Sequence, residues 1–280
     1  MGLRLCKITS SRAKRLIVAR EGKANAMQVD FGRTAADYAR FRTGFPERLF
    51  DELAARGIGF AGRRVLDLGT GTGTLARGFS RRGAAVVALD PAEALLAEAR
   101  RLAGAEELAV EFLAGRAEAT GLPDAAFDLV AAGQCWHWFE RAAAAAETWR
   151  LLKPGGHLVI CHFDWIPSGT NVVAATEALI EQHNPDWRLG GGNGLYPAWL
   201  ADAAEAGFAE IETCSCDLTV PYGHEAWRGR IRASAGVGGS LSAEAVARFD
   251  AALAALLAER FPEDPLAVPH RLFVLLAAKP

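Results

Sequence analysis

Between residues 64 and 161 the chain alternates short apolar runs with amphipathic stretches. Arg64–Leu68, Ala84–Leu89, Val110–Leu113, Phe127–Ala131 and His157–Cys161 read as strands that are apolar on both faces. Between them, Thr74–Arg82, Ala92–Leu102 and the Ala-rich Arg141–Leu152 read as helices. Upstream, Phe45-Pro46 leads into a helix over Glu47–Arg56, with proline near its first turn. Gly83 ends one helix, and Lys153-Pro154-Gly155-Gly156 ends another. Strands buried on both faces and alternating with helices predict a parallel sheet covered on both sides. After Trp165 the rhythm changes. Pro167–Gly194 reads as polar and loop-rich around Gly190-Gly191-Gly192. Phe208–Leu218 and Arg271–Ala278 read as strands, and Ser240–Arg260 as a long amphipathic helix. The expectation is a doubly wound α/β domain over 27–280. Its regular core runs from about 59 to 165, with lid or substrate insertions at about 166–205 and 222–268.

Composition adds little to this and removes several classes. The 280 residues carry a net charge of −2, so no global field points to nucleic acid or an acidic membrane surface. No apolar run approaches the roughly 20 residues that span a bilayer. The five cysteines suit a reducing, cytoplasmic setting better than a disulfide framework, and no Cys or His cluster with metal-ligand spacing accompanies them. Cys214 and Cys216 fall on one face of a strand and read as packing. Residues 1–26 differ from the rest: Arg4, Lys7, Arg12, Lys14, Arg15, Arg20 and Lys23 stand against Glu21 alone. They read as a basic, unstructured leader.

The chemistry gathers at strand ends, where open parallel sheets bind their ligands. Asp67-Leu68-Gly69-Thr70-Gly71-Thr72-Gly73 closes the first core strand and opens a helix. Glycines there permit positive φ and close approach of a ligand to the backbone. Dinucleotide enzymes use a similar turn, but their third glycine stands where this chain has Thr74. Asp67 separates the cases further: a carboxylate beside a pyrophosphate is repelled, whereas an ammonium and a sulfonium attract it. Asp90, followed by Pro91, ends the next strand, where an acid accepts hydrogen bonds from ribose hydroxyls or caps a helix.

The run VLDLGTGTG, then VVALDP, AGRAEATGLPD, FDLVAAGQCWHWF and LKPGGHLVI, resembles the class I S-adenosylmethionine-dependent methyltransferases. The likeness covers roughly Arg64 to Trp165. The stretch Tyr38–Pro46 is similar to the lead-in of small-molecule members related to trans-aconitate methyltransferase. The resemblance implies a Rossmann-like, mostly parallel seven-stranded sheet and S-adenosylmethionine as cofactor. It further implies that Gly69, Thr70, Gly71 and Gly73 contact the methionyl part, with Asp67 near its amino group. Asp90 and Pro91 would stand at the ribose, Ala117 and Glu118 beside the adenine, and Gln134 along the cofactor. Tyr38 and Arg42 match a lid over it. Many relatives have Asp where this chain has Arg116.

Methyl transfer is an in-line displacement at an activated carbon, so the protein mainly aligns the acceptor and excludes water. A base is needed only when the acceptor arrives protonated. His137, between Trp136 and Trp138 and beside the expected methyl group, is the candidate base. Trp136 and Trp138 are candidate acceptor-wall residues, and His162, Asp164 and Trp165 form a second rank. In His224–Arg232, Trp227 and Arg230 are the candidate acceptor contacts. Arg228 and Arg232 share a helical face and suit an anionic, carboxylate-bearing acceptor, or else pair with acids elsewhere. The expected partner is a small-molecule acceptor on O or N rather than nucleic acid. The alternatives are a non-catalytic cofactor-binding partner or sensor and, less favoured by Asp67 and Thr74, an NAD-dependent oxidoreductase.

Overall fold

A computed structural model describes residue 41 and residues 44–280. The leader, Tyr38 and Arg42 therefore lie outside the described residues. Seven strands form one sheet in the order β3-β2-β1-β4-β5-β7-β6. Strands β1 (Arg64–Leu68), β2 (Ala85–Asp90), β3 (Val110–Ala114), β4 (Phe127–Gly133) and β5 (Leu152–Trp165) run parallel. β7 (Leu266–Ala278) inserts antiparallel between β5 and β6 (Ala209–Tyr222). The chain reverses direction across the sheet between β1 and β4, which is where a doubly wound fold opens its ligand crevice.

The expected core helices are present: α1 (Glu47–Ala55), α2 (Thr74–Ser80), α3 (Glu93–Ala105) and α4 (Arg141–Leu151). On one face of the sheet, Leu49, Phe50 and Leu53 of α1 and Phe79 of α2 pack over Val65, Leu129 and Val159. On the other, Trp136, Ala144, Ala145 and Trp199 pack over Leu66, Val130 and Leu158. Cys214 and Cys216 join the first of these clusters at its edge, in line with packing.

The second half departs from the reading in two ways. The stretch expected as loop contains α5 (Val172–His183), and α6 (Ala198–Glu205) follows it. Asn171 caps α5 by accepting from the Ala174 amide at 2.8 Å. Val172, Val173, Thr176 and Ile180 are β-branched and weaken helix propensity, but all four are buried, and packing decides the outcome. The last two strands also run longer than expected, through Pro221 and Pro269, residues that ordinarily mark a strand's limit.

These extensions shape the site. β4 ends opposite Cys161, while β5 continues to Trp165 and pairs there with His270 of β7. His162–Trp165 therefore overhang the parallel sheet by roughly 13 Å, at about 3.3 Å per residue. Against this overhang α5, α7 (His224–Arg232) and α8 (Ala243–Arg260) build a third cluster, including Trp227, Ile231, Phe249 and Leu253. No helix among the described residues is long and apolar enough to cross a membrane.

Candidate active site

The glycine loop is held open by two buried carboxylates. Asp67, 1% exposed, accepts on Oδ2 from the Thr70 hydroxyl at 2.6 Å and from the Ala76 amide at 3.1 Å. It thus ties the loop to the first turn of α2. Burial pushes its carboxyl up to about 7, against those two hydrogen bonds, and the charge of Asp90 adds to the rise. Asp90 accepts from the Gly71 amide at 2.9 Å and the Ala92 amide at 2.8 Å, and burial raises its pKa also. Asp90 therefore ties the glycine loop to the turn before α3 without capping that helix, whose N-cap is Ala92, and it retains acceptor capacity for a ligand, since a carboxylate offers about four lone-pair sites.

Two glycines of the loop have different reasons to be glycine. At Gly69, φ is +62° and a Cβ would lie 2.9 Å from Cys135 Cβ and Sγ. At Gly71, φ is +56°, and a Cβ would meet nothing within 4 Å. The first glycine lets the backbone pass Cys135; the second leaves open space above the loop. Thr70 is buried and donates its amide to Leu89 O. Ala117 is 3% exposed, and Glu118 accepts from the Glu140 amide at 3.0 Å, which fixes the stretch after β3 against the turn after β4.

Gln134 follows β4 in the left-handed region, φ +57°. Its side-chain amide donates to Phe163 O and, at 3.2 Å, to Asp164 Oδ1. Gln134 thereby links the loop side of the sheet to a cavity of about 410 Å³ beyond it. The β5 overhang supplies His162, Asp164 and Trp165 to this cavity; Glu177 of α5, Trp187, Arg188 and Tyr196 come from the first insertion. Arg230 and the turn Ala233–Gly236 come from the second, and His137 and Trp138 from the 3₁₀ turn after β4.

Polar contacts within the cavity are dense. Asp164 Oδ2 accepts from the Tyr196 hydroxyl and lies 3.3 Å from His162 Nδ1. Burial and the Asp164 charge both push the Tyr196 phenol up, so Tyr196 stays a donor. Glu177, 6% exposed, accepts from Trp165 Nε1 and from the Gly191 amide, both at 2.8 Å, and burial raises its pKa. The Arg230 guanidinium lies 4.6 Å from the Trp165 ring centroid, a cation–π contact. The His137 ring is 4.7 Å from Trp138 and 5.3 Å from His162.

Two sequence candidates change place, and two arginines take the acid-paired alternative. Trp136 is fully buried, donates to Asp202 at 3.0 Å and does not line the cavity. Trp227 is likewise fully buried and donates to Thr176 at 3.1 Å. Both are corrected from acceptor contacts to core residues, because their indoles face the layers beneath the site. Arg228 pairs with Asp250, and Arg232 with Asp250 at 2.7 Å and Glu225 at 2.9 Å. The acids on α8 and α7 claim these two guanidinia, and of the three arginines Arg230 reaches the cavity wall. Glu177, Trp187, Tyr196 and Ser234 were missed; the aromatic residues in an otherwise polar stretch were the available signal.

Residues 66–160 match the model of the methyltransferase domain family. Over 132 residues the chain is 40% identical to an uncharacterized methyltransferase of Mycobacterium tuberculosis, covering 47% of this chain and 51% of that one. Over 112 residues it is 45% identical to demethylmenaquinone methyltransferase of Thermus thermophilus, covering 39% and 51%. The chain spans about half the length of the curated relatives it matches. A solved structure from Anaeromyxobacter dehalogenans, named provisionally as a type II methyltransferase, superposes with a TM-score of 0.60 at 25% identity. That alignment covers 85% of this chain and 98% of the other. Residues 66–160 thus match a methyltransferase domain, set within a Rossmann-like sheet.

Proposed function

We propose that the protein is an S-adenosylmethionine-dependent methyltransferase acting on a small molecule seated in the β5-overhang cavity. The observation that carries the reading is the pair of buried carboxylates, Asp67 and Asp90, at adjacent strand ends around an open glycine loop. This donor set fits the cofactor: acidic groups suit an ammonium and ribose hydroxyls, and the space over Gly71 admits a ligand to the backbone. Gly69, Thr70, Gly71 and Gly73 would hold its methionyl end, Asp90 and Pro91 its ribose, Ala117 and Glu118 its adenine, and Gln134 its flank. Tyr38 and Arg42 would cover it. When bound, the cofactor supplies a methyl group already activated by its sulfonium.

The protein's own part is alignment and dryness. Trp138, Trp165, Trp187 and Tyr196 make an apolar wall, and Arg230 places a positive charge in it. That charge and the lead-in similar to trans-aconitate methyltransferase favour a carboxylate-bearing acceptor methylated on O or N. An acceptor that arrives protonated needs a base in the wall, and His137 and His162 are the imidazoles that reach it. The described cysteines, Cys135, Cys161, Cys214 and Cys216, are free thiols, which supports a cytoplasmic site of action. Isothermal calorimetry tests the reading: S-adenosylmethionine and its demethylated product should bind one per chain, and NAD should give no heat. Tight NAD binding without a response to the sulfonium ligand would overturn it.

A further inference from the structure

Among the described residues, three buried side-chain polar atoms have no hydrogen-bond partner: Thr148 Oγ1, His162 Nε2 and Ser234 Oγ. His162 and Ser234 line the same cavity, contributed by opposite halves of the fold. Buried polar atoms are paired in folded proteins, so two orphans at one cavity mark the place of a polar ligand. His162 is 2% exposed, and its ring is clamped by Tyr196 and Trp199, with centroids at 4.6 and 4.8 Å.

The opposite edge of that ring is already committed. His162 Nδ1 lies 3.3 Å from Asp164 Oδ2, and the same oxygen accepts from Tyr196. An ionised carboxylate only accepts, so the contact places the imidazole proton on Nδ1 and leaves the Nε2 lone pair unpartnered in a residue that lines the cavity. A base oriented by a carboxylate on its far nitrogen is the arrangement that draws a proton from a substrate hydroxyl and steadies the imidazolium that follows.

We propose that His162, positioned by Asp164, is the general base of this site, and that the acceptor presents a protonated hydroxyl to its Nε2. The inference rests on the methyltransferase reading and names its substrate class. A carboxylate acceptor brings no proton and would set its oxygen lone pairs against Nε2. An ammonium acceptor would be drawn to the Asp164 or Glu177 carboxylate rather than to the Nε2 lone pair, and the benzylamine control tests for one. In the step, the hydroxyl oxygen forms the new O–CH₃ bond as the carbon–sulfur bond breaks. That electron pair stays on sulfur, the hydroxyl proton passes to Nε2, and it leaves later to solvent. Ser234 Oγ is placed to hold a second polar group of the acceptor.

The charged and titratable groups facing this imidazole are Asp164 on its own strand, Tyr196 from the loop before α6 and His137 from the turn after β4. Glu177, Arg188 and Arg230 stand elsewhere in the cavity wall, while β7 places Phe273 opposite His162 in the sheet register. The protein is assayed with methyl-tritiated cofactor and catechol, 4-hydroxybenzoate and 1-naphthol, with benzoate and benzylamine as carboxylate and amine controls. Label should enter the hydroxyl compounds alone. His162→Gln should lower kcat by at least about 100-fold with KM within threefold, and should remove the acidic limb of the pH–rate profile. Nitrogen-15 NMR of the unliganded protein at pH 8 should show His162 protonated on Nδ1, a preference that Asp164→Asn should abolish. Label on benzoate or benzylamine alone, no label on any hydroxyl compound, an Nε2-protonated His162, or a His162→Gln kcat within threefold would each overturn the inference. If the wild type fails to bind the cofactor in calorimetry, the methyltransferase reading falls first and this inference with it.

Discussion

Replacing Asp67 with asparagine isolates the cost of burying a carboxylate beneath the glycine loop. Both hydrogen bonds to Asp67 fall on Oδ2, so an asparagine carbonyl in that place keeps the Thr70 hydroxyl and the Ala76 amide. What disappears is the titration. The Asp67 carboxyl rises from 3.8 to about 7 in the folded protein, chiefly through desolvation. A shift of about 3 pH units at 1.36 kcal/mol each amounts to about 4 kcal/mol. The direction follows from linkage: with its pKa raised on folding, Asp67 favours the folded state fully below pH 3.8. That contribution is lost as pH climbs through about 7. Denaturant unfolding of wild type and Asp67→Asn between pH 4.5 and 7.5 measures it. The wild type should lose stability relative to the variant by up to about 1.4 kcal/mol per pH unit over this window. Parallel curves, within about 0.5 kcal/mol, would show that Asp67 ionises normally and that its burial is not felt electrostatically.

Cofactor binding should release a proton near pH 6.5, because a cationic ligand lowers the raised Asp67 pKa; calorimetry in buffers of different ionisation enthalpy counts it, and no release would separate Asp67 from the ligand's charge. Asp90→Ala should weaken cofactor affinity by at least about 10-fold, since a charge-assisted hydrogen bond carries about 1.5–3 kcal/mol; binding within twofold of wild type leaves Asp90 with the Gly71 and Ala92 amides alone. Gly69→Ala should destabilise far more than Gly71→Ala in thermal unfolding, because only the first drives a Cβ to 2.9 Å from Cys135, and equal losses would remove that steric reason. Trp227→Ala should cost about 3–5 kcal/mol of stability, as for a large core side chain; a loss under 1 kcal/mol would return the indole to a surface or ligand role.

Much of the fold was legible because the parallel core obeys local rules. Arg64–Leu68 and the helix from Thr74 are set by an apolar run, a glycine turn and a helix-forming sequence in immediate succession, and all appear within a residue or two. Asp67 and Asp90 were legible for the same reason, as polar residues at the ends of strands that are otherwise apolar. The second half was not, because its elements depend on partners distant in sequence. Val172–His183 is a helix whose β-branched residues pay off only against α8 and β7. Pro221 and Pro269 sit inside strands because the β6–β7 ladder carries them. The cavity inherits this difference. His162 and Asp164 were visible as strand-end residues, but their joint service to Tyr196, thirty-odd residues away, arises only when α6 folds back on β5. Trp136 and Trp227 were misplaced since an indole beside polar neighbours looks the same in sequence whether it faces a ligand or the layer beneath.

The central claim is that a methyl group leaves the cofactor for a small molecule in the β5-overhang cavity. Incubating the protein with methyl-tritiated S-adenosylmethionine and a low-molecular-weight metabolite extract measures that transfer without naming the acceptor in advance. Label should pass to an extractable small molecule at a rate that Asp90→Ala reduces. Stoichiometric cofactor binding with no label transferred would contradict the claim and leave the chain a cofactor-binding partner or sensor.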